Sequence, residues 1–325
     1  MGLAVRWGLL STADINRLAL AGARESDRVD VIAVASRDEA RARDYASANG
    51  IDRAYGGYEA LLADPDVEAV YISLPNSLHV EWSIRALEAG KHVLCEKPLD
   101  RRVAAVESAF DAADRAGRLL MEAFMYRHNP QTDRLVELVE AGTIGELRLI
   151  RSAFSFTVSR PEDVRLSAEL DGGGLMDVGS YCVSGSRLLA GKPEHVFAEQ
   201  KVGPSGVDVR LAATMRFPGG VVSQFDCGLE LPGREELEVI GADGSIFLGD
   251  PWHANVPEIV VRRDGKIETE RLTPVNSYRL ELENLGDAIR GQAEPLLGRA
   301  DAVAQARAIE ALYRSADTGT AVQVG

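Results

Sequence analysis

Three side chains in this sequence have the type and spacing for proton chemistry: Lys97, Asp177 and Tyr181. Lys97 lies in the run CEKPL, between a glutamate and a proline, after the strand-like segment KHVLC and before a helical stretch. Open α/β sheets bind their ligands at the carboxyl ends of the strands, and the ring of Pro98 fixes the backbone beside the ammonium. Lys97 therefore reads as a catalytic lysine, with a solvated strand end as the plainer alternative. Asp177 and Tyr181 come from DGGGLMDVGSYCV. The glycines let the chain approach another surface closely, and the next residues can start a helix carrying the carboxylate and the phenol at i and i+4. Projected together, the two can donate and relay a proton. A buried aspartate cap and a core tyrosine are the structural alternative.

Elements must exist to hold these residues. From Leu3 to about Ala123, short apolar runs (AVRWGLL, VDVIAVAS, AVYISLP, KHVLCEKP, RLLMEAF) alternate with amphipathic stretches such as EARARDYASANG and HVEWSIRALEAG, each closed by glycine. The alternation predicts parallel strands with crossover helices, a doubly wound α/β sheet. After Tyr126 a helix, NPQTDRLVELVEAG, precedes the strands ELRLIRSAFSFTV, VRLAATMRF, GVVSQFDCGLEL and EELEVIGADGSIFLG, separated by Pro-Gly and Asp-Gly turn signals. That half reads as α+β, with a large, mostly antiparallel open sheet and closing helices near Tyr278 to Arg290 and Asp301 to Ser315. The expected domains are 1–123 and 124–325.

A dinucleotide site in the first domain would use the first strand-to-helix turn, WGLLSTADIN, whose backbone N–H groups and helix N-terminus face a pyrophosphate. Laid on a G-x-G-x-x-G fingerprint, Ser11, Ala13 and Asn16 occupy the glycine positions. Ser11 or Thr12 can give a hydroxyl to phosphate, with Ala13, Asp14 and Ile15 completing the turn. After the second strand, where an acidic residue would take the adenosine ribose, the chain reads AVASR. Ser36 and Arg37 suit a 2′-phosphate, so NADP is expected as cofactor, NAD remaining possible and Asp38 still able to serve a ribose. ISLPNSLH places Leu74, Pro75, Asn76 and His79 at another strand end beside the cofactor. His79 reads equally as a helix start.

Composition narrows the partners. The 325 residues include 36 basic and 50 acidic side chains, a net charge of −14, which argues against nucleic acid and anionic membranes. No apolar run spans a bilayer and MGLAVRWGLL lacks the marks of a secretory signal, so a cytoplasmic protein is expected. Cys95, Cys182 and Cys227 fit neither a disulfide framework nor paired zinc ligands, and the five histidines show no ligand spacing. No metal is expected. The near-continuous apolar run GVVSQFDCGLEL predicts an apolar sheet face that a second copy covers, hence a homodimer or homotetramer through the second domain.

Taken in order, WGLLSTADIN, AVASR, SLPNSLH, CEKPL, EAFMYRHNPQ and GGGLMDVGSY resemble the Gfo/Idh/MocA oxidoreductases along essentially the whole chain. Within that family the likeness is to the branch of NADP-dependent D-xylose dehydrogenase, dimeric dihydrodiol dehydrogenase and sugar ketoreductases. The resemblance implies an N-terminal Rossmann domain and Lys97 with Tyr181 as the catalytic pair, Asp177 on the same helix. It also implies Glu96 near the nicotinamide ribose and a cis bond from Lys97 to Pro98. Ser11 and Ala13 depart from the family's phosphate turn. The implied activity is NADP-dependent hydride transfer at a carbinol or carbonyl carbon of a pyranose sugar or related cyclic polyol. Alternatives are a nucleotide-linked ketosugar reductase and a non-catalytic NADP-binding regulator. Tyr181 is the expected base, its phenol (ordinarily near pKa about 10) favoured as phenolate by the Lys97 ammonium. Tyr126, Arg127, Phe156, Arg165, Trp252 and His253 are further expected substrate contacts.

Overall fold

The computed structural model describes residues 4–325. Leu3, where the first strand was expected to begin, and the Met1 start lie outside them. The expected strands form with their apolar runs inside: β1 (Val5–Leu10), β2 (Val29–Ala35), β4 (Ala69–Ile72), β5 (His92–Glu96) and β6 (Leu120–Ala123), joined by a three-residue β3 (Arg53–Tyr55). All six run parallel in the order β3-β2-β1-β4-β5-β6. The order reverses between β1 and β4, which is where such sheets open a crevice for ligands. The crossovers are α1 (Asn16–Arg24), α2 (Glu39–Asn49), α3 (Tyr58–Leu62), α4 (His79–Glu88) and α5 (Val103–Ala116). Gly50 and Gly117 end α2 and α5 in the left-handed region.

The next stretch builds a second unit. It contains α6 (Pro130–Glu140), capped by the Asn129 side chain on Gln131 N–H, then β7 (Leu147–Thr157) and α7 (Ser180–Ala190). Strands β8 (His195–Val202), β9 (Asp208–Arg216), β10 (Val222–Gly228), β11 (Glu230–Gly241), β12 (Gly244–Leu248), β13 (Glu258–Arg263) and β14 (Lys266–Arg271) follow. With β15 (Val322–Gln323) they form a nine-stranded sheet, order β14-β13-β12-β11-β7-β10-β9-β8-β15. Every pair is antiparallel except β7 with β10.

The sheet's free face corrects the apolar run expected at GVVSQFDCGLEL. Period-two alternation buries Ser223, Phe225 and Cys227 while Val222, Gln224 and Asp226 turn outward. The outward face is mixed rather than apolar, crossed by ion pairs such as Arg234 with Asp226 and Arg262 with Glu238. A shallow groove of about 700 Å³ runs over it, with Arg151, Phe197, Glu199, Gln224, Glu238 and Phe247 among its walls.

Helix α8 (Ser277–Ile289) gives the largest departure from the expected boundary. The compact units are residues up to Met125 with Asn276–Val303, and Tyr126–Val275 with Ala304–Gly325, so α8 belongs to the first unit although the sequence assigned it to 124–325. Gly22 is the reason: a Cβ there would sit 2.5 Å from Arg279 N, so only glycine lets α8 backbone lie on α1. Arg28 fastens the same helix through Glu283 (2.6 Å) and Asp287 (2.7 Å). Helix α9 (Arg299–Thr318) begins in the first unit and ends in the second. Gly22→Ala forces backbone against backbone and is expected to cost about 1 to 3 kcal/mol, read as a lower urea midpoint at unchanged slope.

Candidate active site

The first turn departs from the glycine fingerprint yet reproduces its backbone. Ser11 takes φ +134°, a conformation that favours glycine. Its hydroxyl is not offered to a phosphate, as was expected, but lies 2.8 Å from Ser73 Oγ and accepts from Ala13 N–H. Asn16 completes this bracket, donating to Ser11 O (2.8 Å) and accepting from Ser73 Oγ (2.6 Å), which pins the ends of β1 and β4 together. Among the described residues, the backbone N–H groups of Thr12, Asp14 and Ile15 find no acceptor in the chain. Three orphan donors at the N-terminus of α1 fit an anion, and the pyrophosphate of a dinucleotide meets that need.

At the end of β2, Ser36 is buried and its hydroxyl accepts from Asp38 N–H (3.3 Å). Asp38 in turn caps α2 by accepting from Arg41 N–H at 3.1 Å. That carboxylate is committed to the helix rather than offered to a ribose. Arg37 is exposed, and its guanidinium and that of Arg41 both act on the Tyr58 phenol, so two cations gather at this strand end.

The ends of β4 and β5 carry the remaining first-unit candidates. His79, expected beside the cofactor, is fully buried: Nε2 lies 2.7 Å from Leu74 O and Nδ1 lies 2.9 Å from Pro98 O. Burial lowers its pKa while the two carbonyls pull the other way, and with each ring nitrogen turned to a carbonyl oxygen the side chain is taken up by the two strand-end turns instead of offering a nitrogen to a ligand. Leu74 is buried, whereas Pro75 and Asn76 remain half-exposed on the turn. The Lys97–Pro98 bond is cis, as the resemblance implied. Half-exposed Lys97 follows Glu96, whose Oε1 accepts from the Tyr71 hydroxyl. Glu281 of α8, which the sequence reading missed, is buried, with its pKa pushed well above the carboxylate range by burial and by Glu96.

In the second unit Asp177 and Tyr181 share one continuous helical rod, but its first turn is a π-turn, Leu175–Gly179, wider than the α-helix expected. Asp177 Oδ2 accepts from Arg165 Nε at 2.8 Å, and Asp163 binds the same guanidinium at 3.2 Å, so two expected site residues form one ion pair. Arg165 also lies over the Phe156 ring, 5.6 Å from its centroid. The Tyr181 ring packs among Phe154 (5.3 Å), Tyr126 (5.8 Å) and Trp252 (5.9 Å). Trp252 and Tyr126, expected as substrate contacts, are buried backing for that ring: the indole N–H donates to Ala153 O (3.2 Å) and the Tyr126 hydroxyl to Ser184 Oγ (2.7 Å). Arg127 sits half-buried in the short helical turn Met125–His128.

His253 stands 2.7 Å from Glu235 Oε1 and edge-on to Phe154. With Asp250 these two bring ligand-type atoms within 4.8 Å of one another. Asp250, however, accepts from Ala254 and Val256 N–H at 3.0 Å each, which makes it a turn cap.

A donor-lined first turn at the switch point of a parallel sheet, followed in the chain by an α+β unit, is the arrangement of a two-unit dinucleotide-binding protein, and the comparisons give its class as an oxidoreductase. Residues 7–124 match the GFO/IDH/MocA model described as an oxidoreductase family with NAD-binding Rossmann fold, and residues 132–247 match the GFO/IDH/MocA C-terminal domain. The chain belongs to this family. It is 39% identical over 325 residues to D-xylose 1-dehydrogenase (NADP(+)) 2 of Haloferax volcanii, covering 98% of this chain and 99% of that one. A 3-ketoreductase of Actinomadura kijaniata, solved with NADP and TDP-benzene, superposes with TM-score 0.91 at 31% identity over 96% of this chain and 98% of that one. Solved forms of the same ketoreductase carry a lysine replaced by alanine and a tyrosine replaced by phenylalanine. An aldose-aldose oxidoreductase of Caulobacter crescentus, complexed with glycerol, gives TM-score 0.92 at 28% identity over 98% of this chain and 99% of that one.

Proposed function

We propose that this chain is an NADP-dependent dehydrogenase or reductase acting at a carbinol or carbonyl carbon of a pyranose sugar or related cyclic polyol. One observation carries the assignment of roles. Lys97 and Tyr181 are as far apart in sequence as the lysine and tyrosine substituted in the ketoreductase. Thr12, Asp14 and Ile15 N–H would hold the pyrophosphate, Arg37 with Arg41 the 2′-phosphate, and Glu96 the ribose beside the nicotinamide. Bound NADP supplies the redox chemistry. Tyr181 takes the proton of the substrate hydroxyl in oxidation and returns it in reduction, and the Lys97 ammonium favours the phenolate and orients the substrate oxygen. Asp177, paired with Arg165, stands on the π-turn that leads into the helix carrying Tyr181.

A spectrophotometric screen of aldoses, inositols and dihydrodiols, with NADP⁺ and NAD⁺ in parallel, tests the reading. Growth of reduced-cofactor absorbance with an aldose or cyclic polyol and NADP⁺ is expected; no change with any of them defeats it. The likeness to the ketoreductase bound to TDP-benzene supports a second reading, reduction of a nucleotide-linked ketosugar. Inhibition of sugar oxidation by dTDP separates the two.

Assembly and location belong to the same proposal. Among the described residues no helix is long and apolar enough to cross a membrane. Cys95, Cys182 and Cys227 are free and buried, which supports a cytoplasmic, reducing setting. A second copy is the proposed occupant of this sheet face, where the Phe197 and Phe247 rings line the groove beside Arg151, Gln224 and Glu238. Sedimentation is expected to give a dimer or a dimer of dimers. A monomer at micromolar concentration, or a dimer that persists after Arg151→Glu with Phe247→Asp, contradicts pairing through this face.

A further inference from the structure

The glycine run before the π-turn is shaped by a side chain that neither the sequence reading nor the proposed mechanism uses. Asp208, at the first position of β9, is buried (3% exposed) in the second unit. Its Oδ2 accepts from Leu175 N–H at 2.7 Å, and its Oδ1 accepts from the Tyr313 hydroxyl of α9 at 2.9 Å. Gly174 N–H is a further donor. The chain folds so closely around this carboxylate that a Cβ on Gly173, whose φ is +124°, would fall 2.2 Å from Oδ1. On the other side of the run a Cβ on Gly172 would fall 2.3 Å from Arg165 O, the same carbonyl that accepts from Gly173 N–H at 2.9 Å. The glycines are therefore where the backbone passes between Asp208 and Arg165. Leu175, the residue Asp208 holds, is the first of the π-turn that presents Asp177 and leads into Tyr181.

We propose that Asp208 is a positioning residue for the proton-transferring turn: its carboxylate fixes the N-terminus of the π-turn and so sets where Asp177 and Tyr181 point. This rests on the reading of Tyr181 as the acid-base group. The role depends on charge. A carboxylate has lone pairs for these donors and for the N–H of Asp208 itself, whereas a protonated acid turns one oxygen into a competing donor and frees part of the turn. Burial is the largest influence on this carboxyl and raises its pKa to about 6, the donors from Leu175, Tyr313 and Gly174 pulling against it. Of the other groups facing it, Cys227 on β10 is kept as a neutral thiol mainly by its own burial, with the Asp208 charge reinforcing this. Ionisation thus occurs within the working range of an enzyme. A carboxyl whose folded pKa lies above its unfolded value favours the folded state as pH falls between about 6 and 3.8 and disfavours it above. The charged form that orders the turn is therefore held against global stability, as expected of a functional group.

The test uses the full chain and reads the turn as well as turnover. Asp208→Asn keeps the size but brings an NH₂ against N–H donors. Amide exchange over residues 172–181 is expected to accelerate by about tenfold or more while β1 to β6 stay unchanged, and turnover to fall by about tenfold or more with KM for NADP unaltered. In the reduction direction a proton-donating Tyr181 imposes no acidic limb, so the unmodified protein should lose turnover below about pH 6 through Asp208 alone. That limb should vanish in Asp208→Asn. Tyr313→Phe, which removes one donor and leaves the carboxylate, should move the limb to higher pH without the loss of turnover at pH 8. Unchanged exchange over 172–181 in Asp208→Asn overturns the proposal; should that variant fail to fold, an acidic limb that Tyr313→Phe leaves in place does so. If no sugar is turned over by the unmodified chain, the functional reading falls while the exchange comparison still decides the role of Asp208.

Discussion

Replacing Tyr181 with phenylalanine is expected to lower turnover by about a hundredfold or more while leaving NADP binding intact. The ring is what packs against Phe154, Tyr126 and Trp252, and phenylalanine preserves it, so the fold of the second unit should survive. Only the oxygen proposed to move the proton is lost. Lys97→Met should cost at least as much, since under the proposed mechanism it removes both the charge that would favour the phenolate and a hydrogen bond to the substrate oxygen. If the two act as a unit, the double variant is little worse than either single one. Near-normal turnover of Tyr181→Phe at saturating substrate across the pH range would remove the tyrosine as the base. Asp177 would not replace it readily, because its Oδ2 is held by Arg165 at 2.8 Å.

The second large effect concerns the cofactor. Arg37→Asp replaces a guanidinium expected on the 2′-phosphate with a repelling carboxylate, and NADP binding should weaken by about 2 to 4 kcal/mol, roughly 30- to 1,000-fold. NAD binding should change far less. Two structural facts sharpen the expectation: Asp38 caps α2, and Arg41 joins Arg37 at Tyr58. Equilibrium titration of cofactor fluorescence checks it. Tighter binding of NAD than NADP by the unmodified protein would show that the guanidinium pair does not select the cofactor.

Much of the fold was legible because the signals are local. Five of the six parallel strands are apolar runs, and Gly50 and Gly117 stop their helices by conformation alone. β3 escaped notice because three residues, Arg53–Tyr55, show no period. Lys97 and Tyr181 stood out in the sequence as candidates because of the proline and glycines that flank them. The residues misread were those whose roles are set by distant partners. His79 looks like a site histidine until Leu74 O and Pro98 O are found at its two nitrogens. Trp252 looks like a substrate contact until its full burial is seen. Ser11 carries no mark in the sequence of adopting φ +134°, and Asp208 lies far along the chain from the glycines that enclose it. Each of these depends on tertiary contacts rather than periodicity.

The assignment of Asn276–Val303 to the first unit has a consequence for how the molecule is made. A ribosome completes β1 to β6 and then all of Tyr126–Val275 before it delivers the helix that Gly22 is shaped to receive. Throughout that interval the nascent dinucleotide unit lacks its last layer, with the α1 face that α8 will cover still open to chaperones and proteases. The gene is in effect an interleaved one, each unit written in two segments that alternate with those of the other. A recombinant cut near residue 124 would strand α8 on the wrong fragment, whereas exchanging substrate modules with a relative calls for junctions at 125/126 and 275/276 and for a third within α9.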